Sequence, residues 1–236
     1  MMKKFDRNEL KQAIRVSIIR VYEAQTADLD LYRNTLDCFS AAIDSTAQGI
    51  SLDDWMKQEK ERQVQKTKQN AIGSLHEQVM GSLPGVVNLD VGNLIDIVCE
   101  EKKIIAEIKN KYNTTKGNHK TQVYRDLASA LEDRPGYTGY YVEVLPVNGK
   151  SYDVPYTPSD NQNKKRLPSR EDIRKIDGNS FYTLLTGDSN ALKEAYSLLP
   201  ELTAEIINEE FGTELNSELV TSSAAFDFNF EKPYGK

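Results

Sequence analysis

The sequence predicts a mixed α/β (α+β) protein with the element order helix, three strands, helix, strand, behind an N-terminal helical region. Three observations predict it. Leu10, Ile14, Ile18 and Val21 recur at helical spacing. Gly81, Pro84 and Gly85 end that regime, and short β-rich runs follow. A helical pattern returns at 119–132, directly before the apolar run GYYVEVL at 139–145, which reads as a strand.

Taken in order, residues 1–70 form the N-terminal helical region, and a second long, charged helical pattern spans 52–79. Strands are expected at 86–89, 94–99 and 104–109, a helix at 119–132 and a strand at 139–145. From 146 to 177 the chain is rich in Pro, Ser, Asn, Lys and Arg, which predicts a long surface excursion. Helical patterns resume at 190–199 and 202–211, while 221–236 carries no assignable pattern. The resulting organisation is 1–70, a core at 71–200 that includes the excursion, and an acidic C-terminal helix and tail at 201–236.

The 236 residues suffice for one core of ordinary size with a helical arm, and exclude a large multidomain machine. Lys3, Lys4, Asp6 and Arg7 open the chain, and no later stretch approaches the roughly 18–20 apolar residues of a membrane span, so a soluble, cytoplasmic protein is expected. Cys38 and Cys99 lie far apart without metal-knuckle spacing. The net charge of −6 argues against indiscriminate nucleic-acid binding, but the charge is segregated. Lys102, Lys103, Lys109, Lys111, Lys116, Lys120 and Arg125 face a single acid, Glu107, across 102–125. A second basic stretch runs through Lys164, Lys165, Arg166, Arg170, Arg174 and Lys175, and acids dominate from Pro200 onward. A directional polyanion site has this pattern, as do ordinary solvated faces.

The chemistry concentrates in NLIDIVCEEKKIIAEIKNK, residues 93–111. Two apolar runs flank the polar turn 100–103, so a hairpin is expected in which Cys99 pairs with Ile104, Val98 with Ile105, Ile97 with Ala106 and Asp96 with Glu107. Alternation along the strand puts Glu107 and Lys109 on one face. Opposed carboxylates with Cβ atoms roughly 4.5–5.5 Å apart repel, and a hard divalent cation such as Mg²⁺ compensates them. Such a cation activates water for attack on a phosphate, and Lys109 is placed to position that water and offset developing charge. A bare D-x(10)-E-x-K spacing recurs by chance in ordinary strands, with the lysine guarding an edge. Here both acids interrupt otherwise apolar strands, where an uncompensated charge is costly.

These residues, in this element order, resemble the PD-(D/E)XK nuclease superfamily. SLHEQVMGSLPG (74–85), GNLIDIV (92–98), IIAEIKNKYNTTKGNHK (104–120), GYYVEVLP (139–146) and FYTLLTG (181–187) further resemble the Type II restriction endonucleases that cleave GGNCC or GGWCC. Ile95 stands where the superfamily usually has Pro. The resemblance implies a restriction-endonuclease-like core, a central mixed sheet flanked by helices, with Asp96 and Glu107 as metal ligands, Lys109 as the catalytic lysine, and Mg²⁺ as cofactor with Mn²⁺ able to substitute. Glu77, whose helical face carries the small residues Gly73, Ser74 and Gly81, is the candidate for an additional acid; an ordinary exposed helical glutamate is the alternative. The resemblance also implies a homodimer acting on double-stranded DNA, a cleavage product with 5′ overhangs, and a separate cognate methyltransferase protecting the host genome in a prokaryotic cytoplasm.

Asn110, Lys111, Asn113, Thr114, Thr115, Lys116, Asn118 and Lys120 follow the catalytic strand and suit contacts to phosphates or base edges. Asn161, Gln162, Lys164, Lys165, Arg166 and Arg170 in the excursion suit major-groove reading, with a plain mobile loop as the alternative. His76 and His119 lack spaced partners and read as structural or surface residues. Tyr140 and Tyr141 read as core. Two other functions use the same features. One is a structure-selective junction or repair nuclease with this core; the other is a catalytically silent DNA-binding module, which loss of Asp96, Glu107 or Lys109 would have favoured.

Overall fold

The periodicity of the first seventy residues is carried by α1 (Arg7–Thr26), α2 (Cys38–Gln48) and α3 (Leu52–Gly73). They belong to a computed structural model that describes residues 4–26, 30–34, 36–89, 92–114, 117–160 and 163–234. The Asp37 carboxylate starts α2 by accepting the N–H groups of Phe39 and Ser40, and Gly49 ends it in the left-handed region at φ 68°. α3 opens on Ser51, whose Oγ accepts the Asp54 N–H at 3.1 Å. Trp55 is buried and donates its indole N–H to Asp44 at 2.9 Å. Residues 16–73 form one compact unit, and the described residues on either side of them form a second.

In the second unit α4 (Leu75–Gly81) leads into β1 (Val86–Asn88), β2 (Ile97–Cys99), β3 (Ile104–Lys111), α5 (Gly117–Glu132), β4 (Thr138–Leu145) and β5 (Asp153–Pro155). A ribbon of β6 (Ser159–Asp160) and β7 (Lys165–Arg166) follows, then β8 (Ile173–Asp177), α6 (Gly178–Thr186), α7 (Ala191–Phe211), α8 (Glu218–Thr221) and α9 (Ala224–Tyr234). The six-stranded sheet has the order β1-β2-β3-β4-β8-β5. β3, β4 and β8 run parallel, while β1, β2 and β5 are antiparallel to their neighbours. This is the mixed sheet flanked by helices that the resemblance implied.

Register decides what each face can do. Glu107 lies beside Tyr141 and Lys109 beside Glu143; Tyr141 in turn lies beside Lys175 and Glu143 beside Asp177. Neighbours in register point to the same side, so one face is apolar at the amino end of the parallel strands and polar at their carboxyl end. α5 covers the apolar end, packing Val123, Leu127, Ala130 and Leu131 against Val98, Ile105, Tyr141 and Ile173. Each large apolar side chain enclosed there contributes about 1.5–3 kcal/mol. On the opposite face α6 brings Phe181 to 5.5 Å from Tyr140, between ring centroids.

Several expectations are corrected. The strand expected at 94–99 begins only at Ile97, and the helical pattern at 52–79 is interrupted at Ser74. The stretch 146–177 is not a surface excursion throughout: β8 lies inside the sheet, and Tyr156 is buried with its ring stacked 4.7 Å from Tyr141. β8 escaped detection because its polar residues have buried partners. Lys175 meets Glu143 at 2.9 Å, and Asp177 accepts the N–H groups of Tyr152 at 2.8 Å and Ser180 at 3.0 Å, so no solvated face marks the strand. The Asp177 cap also starts α6, a helix that periodicity did not reveal.

The patterns at 190–199 and 202–211 are one helix, α7, which runs through Pro200. An interior proline costs roughly 3 kcal/mol; buried Leu202, Ile206 and Ile207 and a ladder of ion pairs offset it. Arg7 pairs with Glu201 and Glu205, Lys11 with Glu205 and Glu209, and Arg15 with Glu209 and Glu210. The ladder explains why residues 4–15 join the second unit and not a separate 1–70 region, and α7 crosses the expected boundary at 200 unbroken. The unassigned tail holds α9, whose Phe230 is buried.

Gly178 tests the packing of α6 on β4, because a Cβ there would lie 2.6 Å from the Val144 carbonyl oxygen and 2.7 Å from its Cα. Gly178→Ala is expected to lower unfolding stability by about 1–3 kcal/mol. Gly73→Ala, with nothing within 4 Å, should be neutral or raise it by up to about 1 kcal/mol. Urea denaturation of both variants checks the contrast.

Candidate active site

The β2–β3 hairpin closes on a turn in which Lys103 adopts φ 52° and donates its N–H to the Glu100 carbonyl at 3.1 Å. Its register is Ile97 to Ala106, Val98 to Ile105 and Cys99 to Ile104, as the sequence predicted. The ladder then stops short of the fourth expected pair. Asp96 donates its N–H to the Ala106 carbonyl at 2.9 Å, and its Oδ2 accepts the Ile108 N–H at 2.6 Å. Its own carbonyl accepts the Leu89 N–H at 2.7 Å. Ile95 is buried in the α5 core and anchors this approach from below. Asp96 is therefore fixed by its backbone and its carboxylate together, across two residues of β3.

The outcome is still a paired acid site. Asp96 and Glu107 converge on the Lys109 ammonium. Lys109 Nζ is 2.6 Å from Glu107 Oε1 and 4.0 Å from Asp96 Oδ2. Burial raises the pKa of Asp96, against the lowering effects of the Ile108 N–H, Lys109 and Glu107. Burial and then repulsion by Asp96 raise that of Glu107. Glu77, half-buried on α4, is pushed up to about 7 by burial and by the charges of Asp96 and Glu107. Burial works against the charge of Lys109, but its hydrogen bond to Glu107 and the fields of the three acids outweigh it and hold the ammonium above its usual range. Lys109 is thus a cation at neutral pH. Gly81 lets α4 approach β1, since a Cβ there would lie 2.8 Å from that of Asn88.

Among the described residues no group of three or more His, Cys, Asp and Glu side chains is arranged as a finished metal cage. The donor chemistry nevertheless fits a hard, largely hydrated divalent cation, which takes one or two carboxylates and keeps its remaining positions for water and phosphate oxygens. Two partly buried carboxylates, of which Glu107 is raised by burial and then by the charge of Asp96, offer oxygens that such a cation would neutralise.

The other candidates separate in space. Lys111, Asn113, Thr114 and Asn118 are exposed around the end of β3 and the start of α5, with Thr114 Oγ1 donating to the Lys111 carbonyl. Asn110 has the opposite parity from Glu107 and Lys109 and lines a cavity of about 210 Å³ with His76 and Tyr182. Lys164, Lys165 and Arg166 are exposed on the β6–β7 ribbon, whereas Arg170 is engaged by both oxygens of Asp172, at 2.8 and 2.7 Å. Thr115, Lys116, Asn161 and Gln162 lie outside the described residues. His76 meets the Tyr182 hydroxyl at 3.1 Å, and burial pushes its pKa down to about 4, which makes it a neutral structural residue; His119 is exposed.

The residue that sequence reasoning missed is Glu143. It is fully buried on β4 beside Lys109, accepting the Tyr152 hydroxyl at 2.5 Å and Lys175 Nζ at 2.9 Å. Its signal was the one used for Asp96 and Glu107, an acid interrupting an apolar strand.

A carboxylate whose folded pKa is raised contributes destabilisation that sets in above its unfolded pKa and grows until the pH passes the folded one. In chelator at neutral pH, Asp96→Asn keeps an acceptor for the Ile108 N–H and removes the charge, so its melting temperature should equal or exceed that of the wild type. Asp96→Ala strands that N–H and should cost about 1–3 kcal/mol. Thermal melts decide: an Asn variant that melts as low as the Ala variant would make the charge itself structural.

Known proteins are similar to this chain over most of its length. A family model described as Eco47II restriction endonuclease covers residues 3–208, which include α4, the hairpin, β4 and β8. The chain is 36% identical over 184 residues to Type II restriction enzyme Eco47II of Escherichia coli, spanning 76% of each protein. It is 30% identical over 184 residues to Type II restriction enzyme Sau96I of Staphylococcus aureus, spanning 75% of this chain and 70% of that enzyme. The chain belongs to the Eco47II restriction endonuclease family and is a site-specific Type II restriction endonuclease.

Proposed function

We propose that the protein hydrolyses both strands of double-stranded DNA at a GGNCC- or GGWCC-type palindrome, leaving 5′ overhangs, with Mg²⁺ as cofactor and Mn²⁺ able to replace it. The observation that carries the reading is the convergence of Asp96, Glu107 and Lys109 at the carboxyl end of the parallel strands, where an open sheet characteristically presents its ligand site. Asp96 and Glu107 would hold the metal, and Glu77 supplies a third acid from α4. When bound, the ion supplies charge for the phosphoryl oxygens and lowers the pKa of the attacking water.

Lys109 remains an ammonium at neutral pH, so it donates and does not accept the proton. It orients the water and offsets charge on the phosphate, while the short contact to Glu107 sets its direction. The Ile108 N–H, by holding Asp96 Oδ2, keeps the two acids in one orientation before DNA arrives. Lys111, Asn113, Thr114, Asn118 and Lys120, with Lys164, Lys165 and Arg166 of the ribbon, are the proposed phosphate and base contacts. Lys116 completes the first group in sequence. A homodimer suits a two-fold site, because equivalent active sites then cut equivalent strands. A cognate methyltransferase, acting separately, would protect the host DNA. No helix among the described residues is long and apolar enough to cross a membrane, and the proposed place of work is the bacterial cytoplasm.

Lys109→Ala should reduce cleavage by about 10³-fold or more while specific binding stays within a few-fold of wild type. Digestion of a sequenced phage genome with Mg²⁺, end sequencing and gel shifts check both the site and the variant. Wild-type ends scattered at random would contradict the palindrome, and a Lys109→Ala variant cutting at the wild-type rate would remove Lys109 from the chemistry.

A further inference from the structure

Beside the acid site lies a cleft of about 520 Å³ walled by Lys120, Glu143, Tyr152, Tyr156, Arg166 and Lys175. Its floor is Glu143, one strand over from Lys109 and therefore about 4.8 Å from it between strands. One oxygen of this fully buried carboxylate is saturated by Tyr152 and Lys175, and Lys175 also lies 4.9 Å above the Tyr152 ring. The other oxygen has no hydrogen-bond partner. Lys120 comes within 3.9 Å of it, an ion pair too long for a hydrogen bond, and its side chain stays partly exposed. Lys120 and Lys175 therefore face one carboxylate, and both lysines keep part of their surface in the cleft mouth.

We propose that this cleft is a backbone-phosphate subsite, in which Lys120 and Lys175 bind a DNA phosphate flanking the scissile one. The inference rests on the endonuclease reading and adds Lys175 and the cleft to it. The cationic surplus selects an anion, and the compact ammonium groups suit a phosphate as point charges, without the forked donor geometry that reads base edges. Adjacency to Lys109 puts that phosphate close to the scissile one. Glu143 holds Lys175 from beneath and keeps the surplus small enough to be stable without DNA.

The test is the salt dependence of binding to a duplex carrying the recognition site. Lys120→Met and Lys175→Met should each weaken binding about five- to twenty-fold at moderate salt and lower the slope of log K against log salt by about 1. Lys175→Arg should restore the slope. The double change Glu143→Gln with Lys175→Met avoids leaving a bare buried carboxylate and should behave like Lys175→Met. A single neutral methylphosphonate flanking the cut should weaken wild-type binding and have no further effect on Lys175→Met. Unchanged slopes in both lysine variants, or full additivity with the neutral linkage at every position, would overturn the subsite. A wild type that cuts no DNA would instead overturn the endonuclease reading.

Discussion

The hydrogen bond from the Ile108 N–H to Asp96 Oδ2 is the contact on which the site depends. A regular ladder would have set Asp96 directly opposite Glu107 and left the segment before β2 anchored by backbone bonds alone. Asp96 instead spends its carboxylate on the neighbouring strand, and its backbone ties residue 89 to β3 through two further bonds. The two acids are thereby held close in a partly dehydrated position, and repulsion that a mobile pair would relax becomes permanent. Burial raises all three acids, and the nearby charge of Asp96 adds to the upward shifts of Glu107 and Glu77. In the proposed role, folding stability would be traded for a cation site, as expected where function requires strained neighbours.

The sheet makes this tolerable by dividing one face in two. α5 packs the amino end with apolar side chains, and that half supplies the stability. At the carboxyl end Glu107, Lys109, Glu143, Lys175 and Asp177 stand in a row, and these charges meet opposite charges or N–H donors. A row of mutually neutralised groups costs far less than isolated ones would. It also leaves small, local imbalances: negative around Asp96 and Glu107, positive around Lys120 and Lys175. A metal-bound phosphodiester needs that pairing of fields.

Much of this was legible in the sequence. Alternation and the polar turn at 100–103 were enough to read the hairpin register through Ile97, and the apolar run at 139–145 was enough to read β4. Asp96, Glu107 and Lys109 stood out because charge in an apolar strand demands a reason. Glu143 met the same criterion and was passed over, since no motif drew attention to it. Asn110 could have been set apart by parity alone, as it shares the face of Ile108. β8 was not legible: its lysine and aspartate have partners that are distant in sequence, so a buried strand resembled a polar loop. Pro200 hid the continuity of α7, which depends on acids pairing with a helix nearly two hundred residues earlier. The break in the ladder at Asp96 was equally hidden, because it arises from a side chain competing with the backbone for one N–H.

The proposed role of Mg²⁺ is to relieve the charge crowded at these acids. Calorimetric titration of Mg²⁺ into the DNA-free protein, in buffers of different ionisation enthalpy, measures it most directly. Glu77, pushed up to about 7 by burial and by the charge of Asp96, must shed its proton when a cation binds beside it, so proton release is predicted near pH 6.5, falling toward zero at pH 8.5 and diminished in Asp96→Asn. Binding without proton release at either pH, or release unchanged in Asp96→Asn, would contradict it.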